Sequence, residues 1–208
     1  MARMAVNDRR AELVEAAIRV MVRDGVAKAT TRAIVTEAGM TLGAFHYCFD
    51  SREQLLGLAT ETITERSVAE VRSLFAPHKD IRDSIIDSLR AFWKSFEANP
   101  GEHQITSELT QYALRNPGFE DLARGQLNVY LQALAALLEL AAESGGIEWT
   151  EPVPVLARYT QCMLDGLNIA WLVDRNSEDS QAALGLLADH LIQHARRRPG
   201  ARKGRPAQ

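Results

Sequence analysis

Cysteine is nearly missing from this chain: among 208 residues only Cys48 and Cys162 occur. Two thiols imply no disulfide framework and fit a reducing compartment. Long apolar runs are missing as well. Even Ala133 to Leu140 is interrupted by Glu139, and nothing approaches the roughly 18 residues of a membrane span. Residues Met1 to Arg10 lack the apolar stretch of a signal peptide. A soluble, cytoplasmic protein without a membrane partner is therefore expected. The signatures of common catalytic sites are also absent. There is no Gly-rich phosphate loop, no G-x-S-x-G elbow and no paired cysteine or metal-ligand spacing. His190 and His194 stand four residues apart without a third ligand, and their place near a helix C-terminus accounts for them. Neither an enzyme nor a cofactor or metal site is expected.

What is present is an ordinary globular composition, 46% hydrophobic and 25% charged, with a net charge of −3. The charge is unevenly spread. Residues 1–55 carry a net +1, residues 56–194 a net −10, and residues 195–208 a net +6. An acidic body suppresses indiscriminate contact with nucleic acid, so any such contact falls to the near-neutral first quarter and its individual cations. A plain solvated acidic surface accounts for the middle of the chain equally well.

Periodicity predicts helices almost throughout and no strand. Asp8 to Asp24 places Leu13, Ala17, Val20 and Met21 on one face, and Gly25 stops it. Thr30 or Thr31 caps a second helix that ends at Gly39, and Thr41 to Cys48 forms a short third. Ser51-Arg52-Glu53-Gln54 reads as a capping box opening a long helix to about Phe75. Helices follow over 80–98, 102–115, 118–144, 152–173 and 179–196, making nine in all. The Pro- and Gly-containing basic tail from Arg197 to Gln208 is expected to be disordered and solubilising.

The stretch 30–49 has the grammar of a helix-turn-helix, whose second helix enters a DNA major groove. Its register is specific: Thr30-Thr31-Arg32-x-Ile34, Ala38-Gly39, Gly43-Ala44-Phe45-x-Tyr47-x-Phe49, then Ser51-Arg52-Glu53-x-Leu55-Leu56. On these residues the first quarter of the chain resembles the N-terminal domain of the TetR family of bacterial transcriptional regulators. Ile34, Ala38, Phe45 and Phe49 are the apolar positions that pack such a head. The resemblance implies an all-α, nine-helix architecture. Residues 1–50 would be the DNA-binding domain, 51–76 a connecting helix, 77–196 a ligand-binding and dimerisation domain, and 197–208 the tail.

The resemblance also implies roles. The positions of Thr41, His46 and Arg52 meet phosphates, those of Leu42, Ala44 and Tyr47 face bases, and Arg32 reaches either. Thr30, Thr31 and Gly43 complete the DNA-facing set. Three positions depart from the family pattern: Leu42 where Lys or Arg is frequent, His46 for a common Tyr, and Cys48 for an aromatic or His. The implied partners are double-stranded operator DNA, a second copy of the chain and an unidentified small-molecule effector; the implied function is that of a repressor which this inducer releases from a palindromic operator. Polar groups among aromatics form the expected effector set: Trp93, His103, Gln104, Glu108, Gln111, Tyr112, Tyr130, Gln161, Asn168 and Trp171. The expected dimer face comprises Leu156, Tyr159, Met163, Leu167, Leu184, Leu187 and Leu191. The competing reading is a helical sensing or protein-interaction module whose head has lost its grip on DNA.

Overall fold

Caps and glycines divide the chain. In the computed structural model, which describes residues 6–74 and 80–198, Thr30 Oγ1 accepts from Ala33 N at 3.2 Å and Thr41 Oγ1 from Ala44 N at 3.3 Å. Each hydroxyl satisfies an orphan amide of a helix start. Among the described residues there are nine α-helices: α1 Val6–Asp24, α2 Thr31–Glu37, α3 Leu42–Cys48, α4 Arg52–Leu74, α5 Ile81–Ala98, α6 Pro100–Arg115, α7 Glu120–Gly145, α8 Val153–Asp174 and α9 Ser177–Gln193. A 3-10 turn, Val26–Lys28, lies between α1 and α2. Gly39 takes φ 63°, and the amides of Gly39 and Met40 return to Thr36 O and Val35 O at 3.1 and 2.8 Å. This left-handed stop is a Schellman motif, and it sets the turn between α2 and α3. At α4, Gln54 N donates to Ser51 Oγ (3.1 Å), while the Gln54 amide oxygen accepts from Asp50 N (2.9 Å), one residue earlier than a strict capping box has it.

The chain divides into two compact units. The first contains Met1–Ser67 and Ala98–Val129. Its core joins Leu13, Ala17, Val20 and Met21 of α1 to Ile34, Phe45, Phe49, Leu55, Leu56 and, from α6, Ile105 and Leu109. A Cβ on Gly101 would stand 2.7 Å from Val22 Cγ1, so the approach of α6 to α1 needs the glycine.

The second unit contains Val68–Glu97 and Tyr130–Gln208. Its core is built on Ile85, Leu89, Trp93 and Phe96 of α5, Leu138 and Ala141 of α7, Leu156, Leu164 and Trp171 of α8, and Leu184, Leu187 and Leu191 of α9. Two strands that periodicity did not announce also belong here. β1 (Ile147–Trp149) and β2 (Ala195–Arg197) pair antiparallel with Glu148 opposite Arg196, whose side chains form an ion pair at 2.8 Å. Three-residue strands are too short to show alternation. The last helix accordingly stops at Gln193, and Arg197 and Arg198, assigned above to a disordered tail, are placed: Arg198 N donates to Gly146 O at 3.0 Å. The rest of that tail, 199–208, lies outside the described residues.

Candidate nucleic-acid interface

The helix-turn-helix separates its side chains into two sets. Ile34 and Val35 of α2 and Phe45 and Cys48 of α3, together with Phe49, are buried. Ala38 packs against the same core. This apolar half fixes α3 on α1 and α2. Outward, Thr41, Gly43, His46, Leu42 (43% exposed) and Tyr47 (66% exposed) face solvent, with Ala44 half-buried. Arg32 and Thr30 are exposed on the neighbouring helix start, and Thr31 is half-buried. The expected DNA-facing residues of α2 and α3 therefore share one side of the head, with Ala44 the least accessible. The Thr30 and Thr41 oxygens accept cap bonds, which leaves each hydroxyl proton to donate outward.

Arg52 is the correction to this set. Its Nε donates to Ala29 O at 2.8 Å, and its terminal nitrogens donate to Val26 O at 2.8 Å and to Tyr112 Oη at 3.1 Å. The guanidinium, expected at a phosphate, is committed inside the first unit. There it ties the start of α4 to the 3-10 turn that leads into α2. Glu108 reinforces the same turn by accepting from Val26 N at 3.1 Å, and Gln104 donates to the other Glu108 oxygen at 3.3 Å. Tyr112 also meets Phe119 edge-on at 5.2 Å. Three residues expected in an effector pocket thus hold the approach to the DNA head.

The α1 start contributes residues that motif matching overlooked. Arg10 Nη1 donates to Cys48 O at 2.9 Å and its guanidinium lies 4.5 Å from the Phe49 ring centre, closing the C-terminal end of α3. The Arg9 guanidinium lies 5.5 Å from the Tyr47 ring centre. The available signal was positional, because Arg9 and Arg10 fall one turn before Leu13 and Val14, on the stripe α1 buries. Other cations of the head are neutralised. Arg19 bonds Glu12 and Glu37, and Arg23 bonds Glu37 and Asp24. Hydrogen bonds from Arg23 and then Arg19 hold the Glu37 carboxyl below its usual range.

The remaining effector candidates fall in both units. His103 is half-buried and Gln111 exposed in the first. In the second, Trp93 is fully buried, with ring centres 5.1 Å from Phe96 and 6.1 Å from Trp171. The indole N–H of Trp93 donates to Glu97 at 2.9 Å; that of Trp171 donates to Ser177 Oγ at 2.9 Å, and Ser177 in turn donates to Glu97. This is a satisfied aromatic core around one carboxylate. Gln161 donates to Asp165 at 2.8 Å, Tyr130 is half-buried, and the Asn168 side-chain oxygen is buried without a partner. Desolvation pushes the Asp165 carboxyl above its usual range, against the smaller effect of the Gln161 bond.

The expected dimer face is corrected too. Leu156, Leu184, Leu187 and Leu191 are buried within their own protomer's core, Leu167 packs against it, and the Tyr159 hydroxyl lies 2.7 Å from His190 Nδ1. Only Met163 of that set is substantially exposed. The unpartnered apolar side chains are instead Val155, Met163, Ile169 and Val173 (83% exposed) of α8 and Leu186 of α9. Two apolar stripes run along α8, and periodicity does not say which one faces inward.

Residues 13–59 match the family described as bacterial regulatory proteins, tetR family, and residues 82–196 match the C-terminal region of BetI-type transcriptional repressors. The chain is 29% identical over 172 residues to the nicotine-responsive transcriptional repressor HdnoR of Paenarthrobacter nicotinovorans, covering 83% of this chain and 88% of that one. It is 27% identical over 198 residues to the regulator BetI of Brucella suis, covering 93% and 94%. A transcriptional regulator from Rhodococcus sp. Rha1 shares the fold with a TM-score of 0.75 at 20% identity, over 91% of this chain and 99% of that one. The helix-turn-helix, the nine-helix architecture and the match over more than half the chain lead to one statement: this protein belongs to the TetR family of bacterial regulatory proteins, and it is a DNA-binding transcriptional regulator.

Proposed function

We propose that a homodimer of this chain represses transcription in the cytoplasm by laying two α3 helices in successive major grooves of a palindromic operator. The observation that carries this reading is the outward half of α3. Thr41, Leu42, Gly43, His46 and Tyr47 stand exposed on a helix whose other side is locked into a core, which is the presentation a groove-reading helix requires. Leu42 and Ala44 offer no hydrogen bond to a base edge and read thymine methyls by contact, while the threonine hydroxyls and Arg32 take phosphates. Residues 1–50 act as the reader, 51–76 as the connection, and 77–196 as the effector-binding and dimerising part. The apolar set Val155, Met163, Ile169, Val173 and Leu186 meets its equivalent on the second copy. A self-complementary patch of this kind is what a two-fold interface demands.

The effector assigned to the acidic body is an organic cation or nitrogen heteroaromatic. The net −10 of residues 56–194 disfavours an anion, and the named responsiveness of the HdnoR relative to nicotine points the same way. Because α4 contributes residues to both compact units, it is the element assigned to carry the effector's influence to the head. The test is selection of duplexes from a randomised pool by the purified protein, with light scattering of the free protein. An enriched inverted repeat with half-sites about one helical turn apart, bound by a species of twice the chain mass, is expected. No enrichment and no salt dependence would favour the sensing module without DNA binding.

A further inference from the structure

We infer that Arg9, at the start of α1, is a phosphate-binding residue of the DNA interface and sets the position of Tyr47 beside it. The inference rests on the helix-turn-helix reading above and adds to it a residue outside that motif.

The argument begins with two adjacent arginines that the same helix treats differently. Arg10 finds its acceptor in the protein, the Cys48 carbonyl at 2.9 Å. Arg9 does not: its Nε is buried without a hydrogen-bond partner, and no carboxylate or carbonyl meets its guanidinium among the described residues. Its guanidinium lies 5.5 Å from the Tyr47 ring centre. A guanidinium is charged at every relevant pH and carries five donors in a fixed plane. The half-buried side chain keeps Nε inside without an acceptor, and its terminal nitrogens, which no described carboxylate or carbonyl meets, are left to take an acceptor from outside.

The place of Arg9 identifies that acceptor. Tyr47 is the most exposed large side chain of α3 and stands on the side that carries Thr41, Leu42, Gly43 and His46. An anion reaching Arg9 there is therefore at the edge of the reading surface, where a duplex in the major-groove pose presents its sugar-phosphate backbone. Charge accounting across the head gives Arg9 added weight. Arg19 and Arg23 are neutralised by Glu12, Glu37 and Asp24, and Arg10 and Arg52 donate internally. Lys28 and Arg32 are the other cations of the described head that stand outside these pairs, and both are exposed. With so few cations left over, removal of one must show in the ionic part of binding. The stacked Tyr47 ring, in turn, is steered by a guanidinium that the DNA backbone itself holds.

The experiment uses the full chain and a duplex that the wild-type protein selects from a randomised pool, with a scrambled duplex of equal length as the second probe. Affinities are measured across a salt series. Arg9→Gln is expected to weaken both duplexes alike and to lower the slope of log affinity against log salt by about one unit. Arg9→Lys is expected to keep the slope, since a point charge still displaces a counterion. A thermal melt accompanies each variant, and should Arg9→Gln prove unstable, the retained slope of Arg9→Lys beside a lowered slope in Arg9→Met decides. Wild-type slope and affinity in Arg9→Gln would overturn the inference, as would loss confined to the selected duplex or equal loss in the Lys variant. If the wild-type protein itself selects nothing and shows no salt dependence, the operator-binding reading falls first, and the role of Arg9 falls with it.

Discussion

The two compact units leave opposite kinds of group without an internal partner. In the first, side chains of α4 and α6 converge on the turn before α2, where Arg52 donates to Tyr112 and two carbonyls and Glu108 accepts from Val26 N. Around α3 that unit turns outward Thr41, His46, Tyr47, Arg32 and the guanidinium of Arg9, with Leu42 among them. In the second, polar satisfaction is interior, with two indole N–H groups served by Glu97 and Ser177. Among the side chains that α8 and α9 leave outside are the aliphatic Val155, Ile169, Val173 and Leu186. The first unit leaves cations outside its ion pairs, and the second leaves aliphatic side chains uncovered. On the reading proposed above, the first suits a nucleic-acid backbone and the second a second copy of the chain.

The largest effect should come from the aromatic core. Trp93→Ala removes a fully buried indole packed on Phe96 and Trp171 and strips Glu97 of a donor. A loss of about 3–5 kcal/mol in chemical denaturation is expected from cavity formation alone. A loss under about 1 kcal/mol would mean that the second unit is not organised around that tryptophan.

A smaller effect, and a sharper one for the comparison, separates Arg52 from Arg32. Arg52→Ala strips the Ala29 carbonyl and the Tyr112 hydroxyl of their guanidinium donors and leaves the Val26 carbonyl with Ala29 N alone, so about 1.5–3 kcal/mol of stability should be lost. The salt slope of DNA binding by the remaining folded protein should stay as it was. Arg32→Ala should do the reverse, with stability within about 0.5 kcal/mol and a slope lower by about one unit. An unchanged slope in both variants would remove the contrast between inward and outward cations.

These cases also show what periodicity and motif carry and what they leave open. The nine helices, the caps at Thr30 and Thr41 and the stop at Gly39 are local devices, and local chemistry announces them. The same holds for the split between Phe45 and Tyr47, which follows from three-fold and four-fold spacing. Arg52 was misplaced because its acceptors, Val26, Ala29 and Tyr112, lie 26, 23 and 60 positions away. The dimer stripe was misplaced because α8 is apolar on two sides, and the choice between them depends on where α9 packs. The strand pair escaped notice because Ile147 and Arg197 are distant in sequence and each strand is three residues long.

The smallest expected effect concerns the ion pairs that silence the head's other cations. Glu37 accepts from Arg23 first and Arg19 second, and its carboxyl is held below the usual range by those bonds. A depressed folded value means that the pairing contributes fully above the ordinary glutamate range and is lost as pH falls through the depressed value. Both partners are exposed, so solvent screening keeps the stability effect slight. The charge effect is larger than the stability effect, because protonation of Glu37 removes one carboxylate shared by two guanidiniums, which keep only their bonds to Glu12 and Asp24. Glu37→Gln should therefore leave the melting temperature nearly unchanged while strengthening binding to a scrambled duplex and steepening its salt dependence. An NMR titration of the Glu37 carboxyl should find its midpoint below that of an unpaired glutamate. Equal scrambled-duplex affinity in the wild-type and Gln proteins would show that Arg19 and Arg23 stand apart from the DNA path. The ionic grip would then rest with the cations that the head leaves unpaired, Arg9, Lys28 and Arg32.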